Sequence, residues 1–314
     1  MNDSIKEEDD HNSEDLRDDL KESDVSNRSL PSSYDYVSTD SANYTYEQMM
    51  TDLNELETSF SDYLVVTTCG KSLDNRDIPE VIMGNRNSSR HIFIQASIHA
   101  REYINTLVAM EQIEQMMVHY NDGEYNGVSY AELLSDVCFH ILPMSNPDGV
   151  TISQVGIEGI RDESLRETMR ECYQNDIDHG RTSQDMNYKG QSPVSEPETQ
   201  AIVNAVHNCE AILTISYHST GSVIYWDYGS WGEVYEKDAE LAGLVSSVTG
   251  YERSSSIQSA QDAAGCSDYF VLKENIPSVT IENGYSACPI GIEEFPSIWA
   301  SNEELLPILA YTYR

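Results

Sequence analysis

Three short stretches of the 314-residue chain carry side chains suited to holding a metal and moving a proton. In "SIHAREYI", His99 and Glu102 follow the apolar run "HIFIQA". A neutral imidazole and a carboxylate are suitable zinc ligands. A spacing of three, where a strand gives way to a helix, lets both side chains point to one place. In open α/β sheets the carboxyl ends of strands are where ligands bind. In "AILTISYHSTG", His218 ends a second apolar strand and can reach the same crevice. Two histidines and one Glu leave the fourth tetrahedral position for water, which is the catalytic arrangement rather than the closed structural one. In "IPSVTIENG", Glu282 ends a strand of apolar and β-branched residues. A Glu there is costly unless it is exposed or has work to do. That work would be to take a proton from water and return it to a leaving amine. Taken singly, each stretch has an ordinary reading: a helix-starting Glu beside a hydrogen-bonded His, or a surface Glu at a strand end. His119 and His207 fall on helices, His140 inside a strand, His179 in a polar loop and His11 near the N-terminus, so they compete poorly as ligands.

The elements that must position these residues follow from periodicity. Tyr46, Met49, Met50, Leu53 and Leu56 recur at helical spacing. "YLVVTTCG", "IPEVIMG", "HIFIQASI", "DVCFHILPMSN", "AILTISYH" and "PSVTIE" read as strands, and "EYINTLVAMEQIEQMMVHY" as a long helix. "NPDG" reads as a turn, and residues 151–192 as irregular apart from a helical patch around "DESLRETMRECY". "SEPETQAIVNAVHN" reads as a helix with Ser195 as N-cap, Pro197 early and Glu198 completing a capping box. "PSIWASNEELLPILAYTY" reads as one closing helix. Strands alternate with helices, and several strands are apolar throughout. The pattern argues for an α/β sandwich, a sheet covered on both faces.

Composition narrows the partners. The formal charge is 18 − 54 = −36. Such a surface repels phosphate backbones, so no nucleic-acid partner is expected. No apolar run approaches the roughly 20 residues of a membrane span. No signal peptide is visible at "MNDSIKEEDD", which leaves a cytosolic protein or, the reading preferred here, a secreted or cell-envelope protein whose signal has been removed. Residues 1–43 read as an acidic, disordered tail, and 44–314 as one catalytic domain. No Cys-x-x-Cys occurs among the six cysteines, which argues against a cysteine-rich zinc site.

Taken together, "HAREY", "NPDG", "SEPET", "YHSTG" and "PSVTIENG", in this order, resemble the zinc metallocarboxypeptidase family, the carboxypeptidase A-like group, and its bacterial members above all. "GKSLDNRDI" and "YTYEQM" fit the family's N-terminal segments. The resemblance implies a single α/β/α domain with a mixed sheet of about eight strands. It implies one zinc ion held by His99, Glu102 and His218, Glu282 as general base, and Arg101 helping to shape the substrate site. It also implies a structural turn at Asn146 to Gly149 near the crevice.

The resemblance breaks in places. The family's Asp-x-Asn-Arg motif, whose Asn and Arg grip a terminal carboxylate, corresponds to "DMNY", so Asn187 is kept and Tyr188 stands for the Arg. That exchange removes a bidentate cationic fork. The oxyanion-stabilising arginine is assigned to Arg181, with Arg161 and Arg170 as alternatives. No Tyr falls at the substrate-capping position, and Gln261 is the substitute. Cys266 and Cys288 flank Glu282 in sequence and would be either a disulfide or two free thiols. Tyr217, Tyr225 and Tyr228 would be an aromatic substrate wall or ordinary packing. The expected activity is zinc-dependent hydrolysis of a peptide bond, C-terminal in the family pattern. The alternatives are cleavage of the bond from γ-D-Glu to diaminopimelate in a muropeptide, deacylation of acyl-amino acids, or peptide binding without catalysis.

Overall fold

A computed structural model describes residues 36–178, 192–257 and 265–314. The described residues all fall in one compact unit. Helix α1 (Tyr46–Ser59) buries Met49, Leu53 and Leu56, and its Thr45 cap accepts the Gln48 N–H at 3.2 Å. Strands β1 (Leu64–Lys71), β2 (Asp77–Gly84) and β3 (His91–Ala96) follow, then helix α2 (Ile104–Val118). A two-residue hairpin, β4 (Glu124–Tyr125) and β5 (Val128–Ser129), leads to α3 (Tyr130–Asp136) and β6 (Cys138–Leu142). Helices α4 (Pro147–Val155), α5 (Glu163–Asp178) and α6 (Pro197–Cys209) precede β7 (Leu213–His218) and β8 (Val223–Trp226). After α7 (Glu233–Thr249) come β9 (Glu252–Ser255), β10 (Ser278–Glu282), α8 (Phe295–Asn302) and α9 (Leu305–Tyr313).

The main sheet has eight strands in the order β1-β2-β6-β3-β7-β10-β8-β9. Its centre, β6, β3, β7 and β10, is parallel, while β2 and β8 run antiparallel to their central neighbours. The sheet is therefore mixed, as expected. Its central strands are mostly buried because both faces are covered, and most of the polar side chains inside them are buried as well. Alternate residues of β3 enter different cores. Ile92 and Ile94 pack with α1, α2, α8 and α9, whereas Phe93 packs with Ala201, Ile202, Ala205 and Val206 of α6 on the other face. The sandwich is thus built from a period of two in the strand and apolar stripes on the helices.

Several local expectations are corrected. The N-cap of α6 is Glu196, not Ser195, and no side chain caps the helix. Proline fixes the first helical residue at Pro197, which leaves Ser195 one position too early; its hydroxyl donates to the Glu196 carboxylate at 3.0 Å. "NPDG" opens a helix instead of closing a turn: Asn146 is the N-cap of α4 and accepts the Gly149 N–H at 2.8 Å. The helical patch around "DESLRETMRECY" is α5, and the stretch read as irregular before it also holds the end of α4. The closing helix is two, divided at Glu303–Glu304.

"GKSLDNRDI" finds its use in a buried ion cluster. Arg76 is 2% exposed and lies between Asp74 and Asp148 of α4, with 2.8 Å from its Nη1 to Asp148. The same guanidinium donates to the Gly159 carbonyl at 2.7 Å, and the Ser72 hydroxyl donates to Asp148 at 2.8 Å. The β1–β2 turn is thereby fastened to the start of α4. Packing also reaches back before Tyr44: Val37 is buried, and the Tyr36 and Val37 N–H groups donate to Glu114 of α2 at 3.2 and 2.8 Å.

Candidate active site

The turn after β3 aims its side chains through backbone geometry. Ser97 has φ +54°, a left-handed conformation uncommon without glycine. Its hydroxyl is held at 2.8 Å from Thr106 Oγ1 of α2. The Glu102 N–H donates to the His99 carbonyl at 3.1 Å, closing a four-residue turn. That closure puts His99 and Glu102 on one side, before α2 begins. Asn146 braces the approach by donating to the Ile98 carbonyl at 3.0 Å.

His218 arrives from the end of β7. Its Nδ1 is 3.1 Å from His99 Nδ1 and 3.0 Å from Glu102 Oε2, and His99 Nδ1 is 2.9 Å from Glu102 Oε1. His218, remote in the chain, thus meets His99 and Glu102 of the turn after β3. The donor set fits zinc, since two imidazole nitrogens and one carboxylate are the mixed ligands that zinc takes. The His99 side chain is 64% exposed while His218 and Glu102 are 12% exposed. A substrate can therefore approach the donors from the His99 side.

Glu282 ends β10, and its register partner in the parallel ladder is His218. Pairing carries the acid to the site without making it part of the donor contacts. Burial, and then the charge of Glu102, push its carboxyl up to about 7. Glu102 behaves oppositely. Burial works against its ionisation, but hydrogen bonds with His218 and His99 outweigh that and bring it down to about 2. Two carboxyls a short way apart are thereby separated, one suited to remain charged and one to exchange a proton near neutrality.

Below the site lies a chain of amides that sequence reasoning passed over. Asn105 Nδ2 donates to the Glu102 carbonyl at 3.0 Å and to Ser219 Oγ at 3.1 Å. Asn283 Nδ2 donates to Asn105 Oδ1 at 2.9 Å, and Asn302 of α8 donates to Asn283 Oδ1 at 2.8 Å. All three are fully buried. One chain of hydrogen bonds thus links the residues beside Glu102, His218 and Glu282. A polar residue directly after Glu282 and another in the first turn of α2 were the available signals.

The remaining candidates divide. Arg101 is exposed and turns its guanidinium to the Cys288 carbonyl, next to the ligand turn. Arg161 pairs with Glu47 at 3.0 Å, and Arg170 is paired with Glu158 and Glu167, so both alternatives to Arg181 are engaged with acids elsewhere. Arg181, Asn187, Tyr188 and Gln261 lie outside the described residues. Cys266 and Cys288 are free thiols, not a disulfide. Tyr217 and Tyr228 are packed inside, with the Tyr217 hydroxyl donating to Gln112 at 3.0 Å, so they form no substrate wall. No helix among the described residues is long and apolar enough to cross a membrane.

Comparison with known proteins agrees with this geometry. Residues 49–286 match the family described as zinc carboxypeptidase. The gamma-D-glutamyl-L-diamino acid endopeptidase 1 of Lysinibacillus sphaericus is 27% identical over 285 residues, covering 82% of this chain and 69% of that protein. Among solved structures, thrombin activatable fibrinolysis inhibitor superposes with a TM-score of 0.66 at 16% identity, over 86% of this chain and 74% of the other. A metallo-carboxypeptidase from Burkholderia cenocepacia gives 0.60 at 15% identity, over 86% and 70%. The last two likenesses concern the fold.

Proposed function

Because this chain belongs to the zinc carboxypeptidase family, a family of zinc-dependent peptidases, we propose that it cleaves the amide bond between a γ-D-glutamyl residue and a diamino acid in peptidoglycan stem peptides. The observation that carries the reading is the convergence of His99, Glu102 and His218 with Glu282 on the adjacent strand rung. The first three would hold a single zinc ion. Zinc, when bound there, supplies Lewis-acid polarisation of a carbonyl and makes water a stronger acid.

The chain's own groups do the rest. Glu282 takes a proton from the attacking water on its carboxylate and later gives it to the departing amine nitrogen. Arg181 would stabilise the developing oxyanion, and Arg101 would flank the substrate. Asn187 and Gln261 would contact the substrate away from the scissile bond. Two observations favour the γ-D-glutamyl substrate over an ordinary peptide C-terminus. One is the similarity to an endopeptidase of that name. The other is Tyr188, which cannot grip a terminal carboxylate as a guanidinium does.

The test is mass spectrometry of the zinc-loaded protein incubated with two pools, muropeptides and linear peptides with free C-termini. Release of fragments beginning at the diamino acid supports the reading. Loss of single C-terminal residues from the linear pool alone points to a carboxypeptidase. No hydrolysis of either pool would sink both.

A further inference from the structure

His91, Cys138 and His140 form a second convergence of metal-binding side chains. His91 opens β3, Cys138 opens β6, and the two are register partners in the parallel ladder. His140 lies two residues further along β6, so its side chain leaves the same face of the sheet. The cluster therefore sits at the amino ends of these strands, whereas His218 and Glu282 stand at the carboxyl ends of β7 and β10. His91 Nδ1 is 2.9 Å from His140 Nε2, and Cys138 Sγ is 3.7 Å from that same Nε2. Ligand atoms of all three lie within 4.8 Å of one another.

The outer partners decide where the hydrogens are. His91 Nε2 is 2.8 Å from the Ser88 carbonyl oxygen, which can only accept, so Nε2 bears the hydrogen and Nδ1 a lone pair. His140 Nδ1 is 2.7 Å from the Glu80 carboxylate, and both side chains are nearly buried. A hydrogen on that Nδ1 leaves Nε2 with a lone pair. Two imidazole lone pairs then face each other at hydrogen-bond distance, with a sulfur on the third side. Something positive belongs between them. A proton would join the nitrogens and leave the sulfur no share; a metal ion uses all three. With metal–nitrogen bonds of about 2.0–2.1 Å and a metal–sulfur bond of about 2.3 Å, tetrahedral geometry sets N···N near 3.3 Å and N···S near 3.6 Å. The sulfur contact matches. The nitrogen contact is short by an amount similar to that in the first site, whose donor contacts are 2.9, 3.0 and 3.1 Å.

We propose that His91, Cys138 and His140 bind a second zinc ion, with Glu80 and the Ser88 carbonyl orienting the two imidazoles. A carboxylate or carbonyl on the far nitrogen of each histidine is the usual outer support of a metal-ligating imidazole. The ion ties β3 to β6 and, through Glu80, to β2. Half-buried His91 leaves the fourth position open to solvent. Binding displaces the Cys138 proton, so affinity rises with pH.

Cobalt(II) distinguishes the two sites, because the first contains no sulfur. The full chain, stripped and reloaded with cobalt, is expected to show a sulfur-to-cobalt charge-transfer band, and with zinc about two equivalents per chain. Cys138→Ser should lose the band and about one equivalent, as should His91→Asn, whose half-exposed position tolerates change if the buried thiol does not. His99→Ala/His218→Ala should keep the band and one equivalent. A wild-type protein that binds one zinc and shows no band overturns the proposal, as does a band that survives Cys138→Ser. One equivalent with a band retained in wild type would instead count against the first site alone.

Discussion

Glu282 and His218 occupy one rung of the β7–β10 ladder, yet they are given different tasks by what surrounds them. His218 makes donor contacts with His99 and Glu102, while Glu282 feels those groups only as charges. Glu282→Gln keeps size and polarity but cannot accept a proton. Turnover should fall about 10²–10⁴-fold with zinc content unchanged, measured by peptide hydrolysis alongside metal analysis. Equal activity in the variant would remove Glu282 from the mechanism. Asn105 acts at one remove. It holds the Glu102 carbonyl and the Ser219 hydroxyl together, so Asn105→Ala should loosen both ligand segments. Zinc affinity is expected to drop about 10–100-fold, read by competition with a chelator, while the variant still folds. The sequence singles out these four residues because His218 and Glu282 end apolar strands and His99 and Glu102 follow one. Asn105 and Asn283 were not, since a buried amide is recognised only when its partners, from three elements, are known.

At the scale of elements, legibility followed burial. β3, β6, β7 and β10 are rich in apolar and β-branched residues and readable as strands. β8 is four residues, and β9, "ERSS", is a polar strand at the end of the sheet order. An edge strand has a neighbour on one side only and needs no apolar pattern. Neither was read, nor was α7. Helix starts were misread wherever proline set the first residue, at Pro147 and Pro197. The connection after β10 shows how little freedom such joints have. Gly284 has φ +78°, and a Cβ there would lie 2.6 Å from Ile290 Cδ1. Its carbonyl accepts the Gly221 N–H at 2.7 Å, joining the segment after Glu282 to the segment after His218. Gly284→Ala therefore combines a left-handed penalty of about 1–2 kcal/mol with a clash. It should lower the melting temperature and reduce turnover together. A variant that melts like wild type would show that this joint is not strained by a side chain.

Across the whole molecule, net charge and buried acids pull stability the same way with pH. The chain carries −36 at neutrality, and compactness brings those charges together. Two acids inside the domain add a specific component. Asp238 of α7 is fully buried, and its Oδ1 accepts the Ser278 N–H at 2.7 Å. Burial pushes its carboxyl up to about 7. Glu111 of α2 is pushed up to about 8, by burial and then by the neighbouring charge of Glu114. Both folded values exceed the unfolded ones, so protons bind the folded chain more tightly. Their stabilising contribution is complete below about pH 4 and is lost as pH rises through 7 to 8. Glu102, held near 2, contributes in the other direction, but that contribution is already complete above pH 5. Between pH 5 and 8 the two raised acids, together with Glu282, which burial also raises to about 7, slope stability downward as pH rises. Asp238→Asn keeps the acceptor for Ser278 and removes the charge. Its stability relative to wild type should improve as pH rises, by on the order of a few kcal/mol at pH 8, and converge toward acid pH. Chemical denaturation at pH 5 and pH 8 reads the difference. Parallel pH profiles for the two proteins would mean that Asp238 is charged in both folded and unfolded chains.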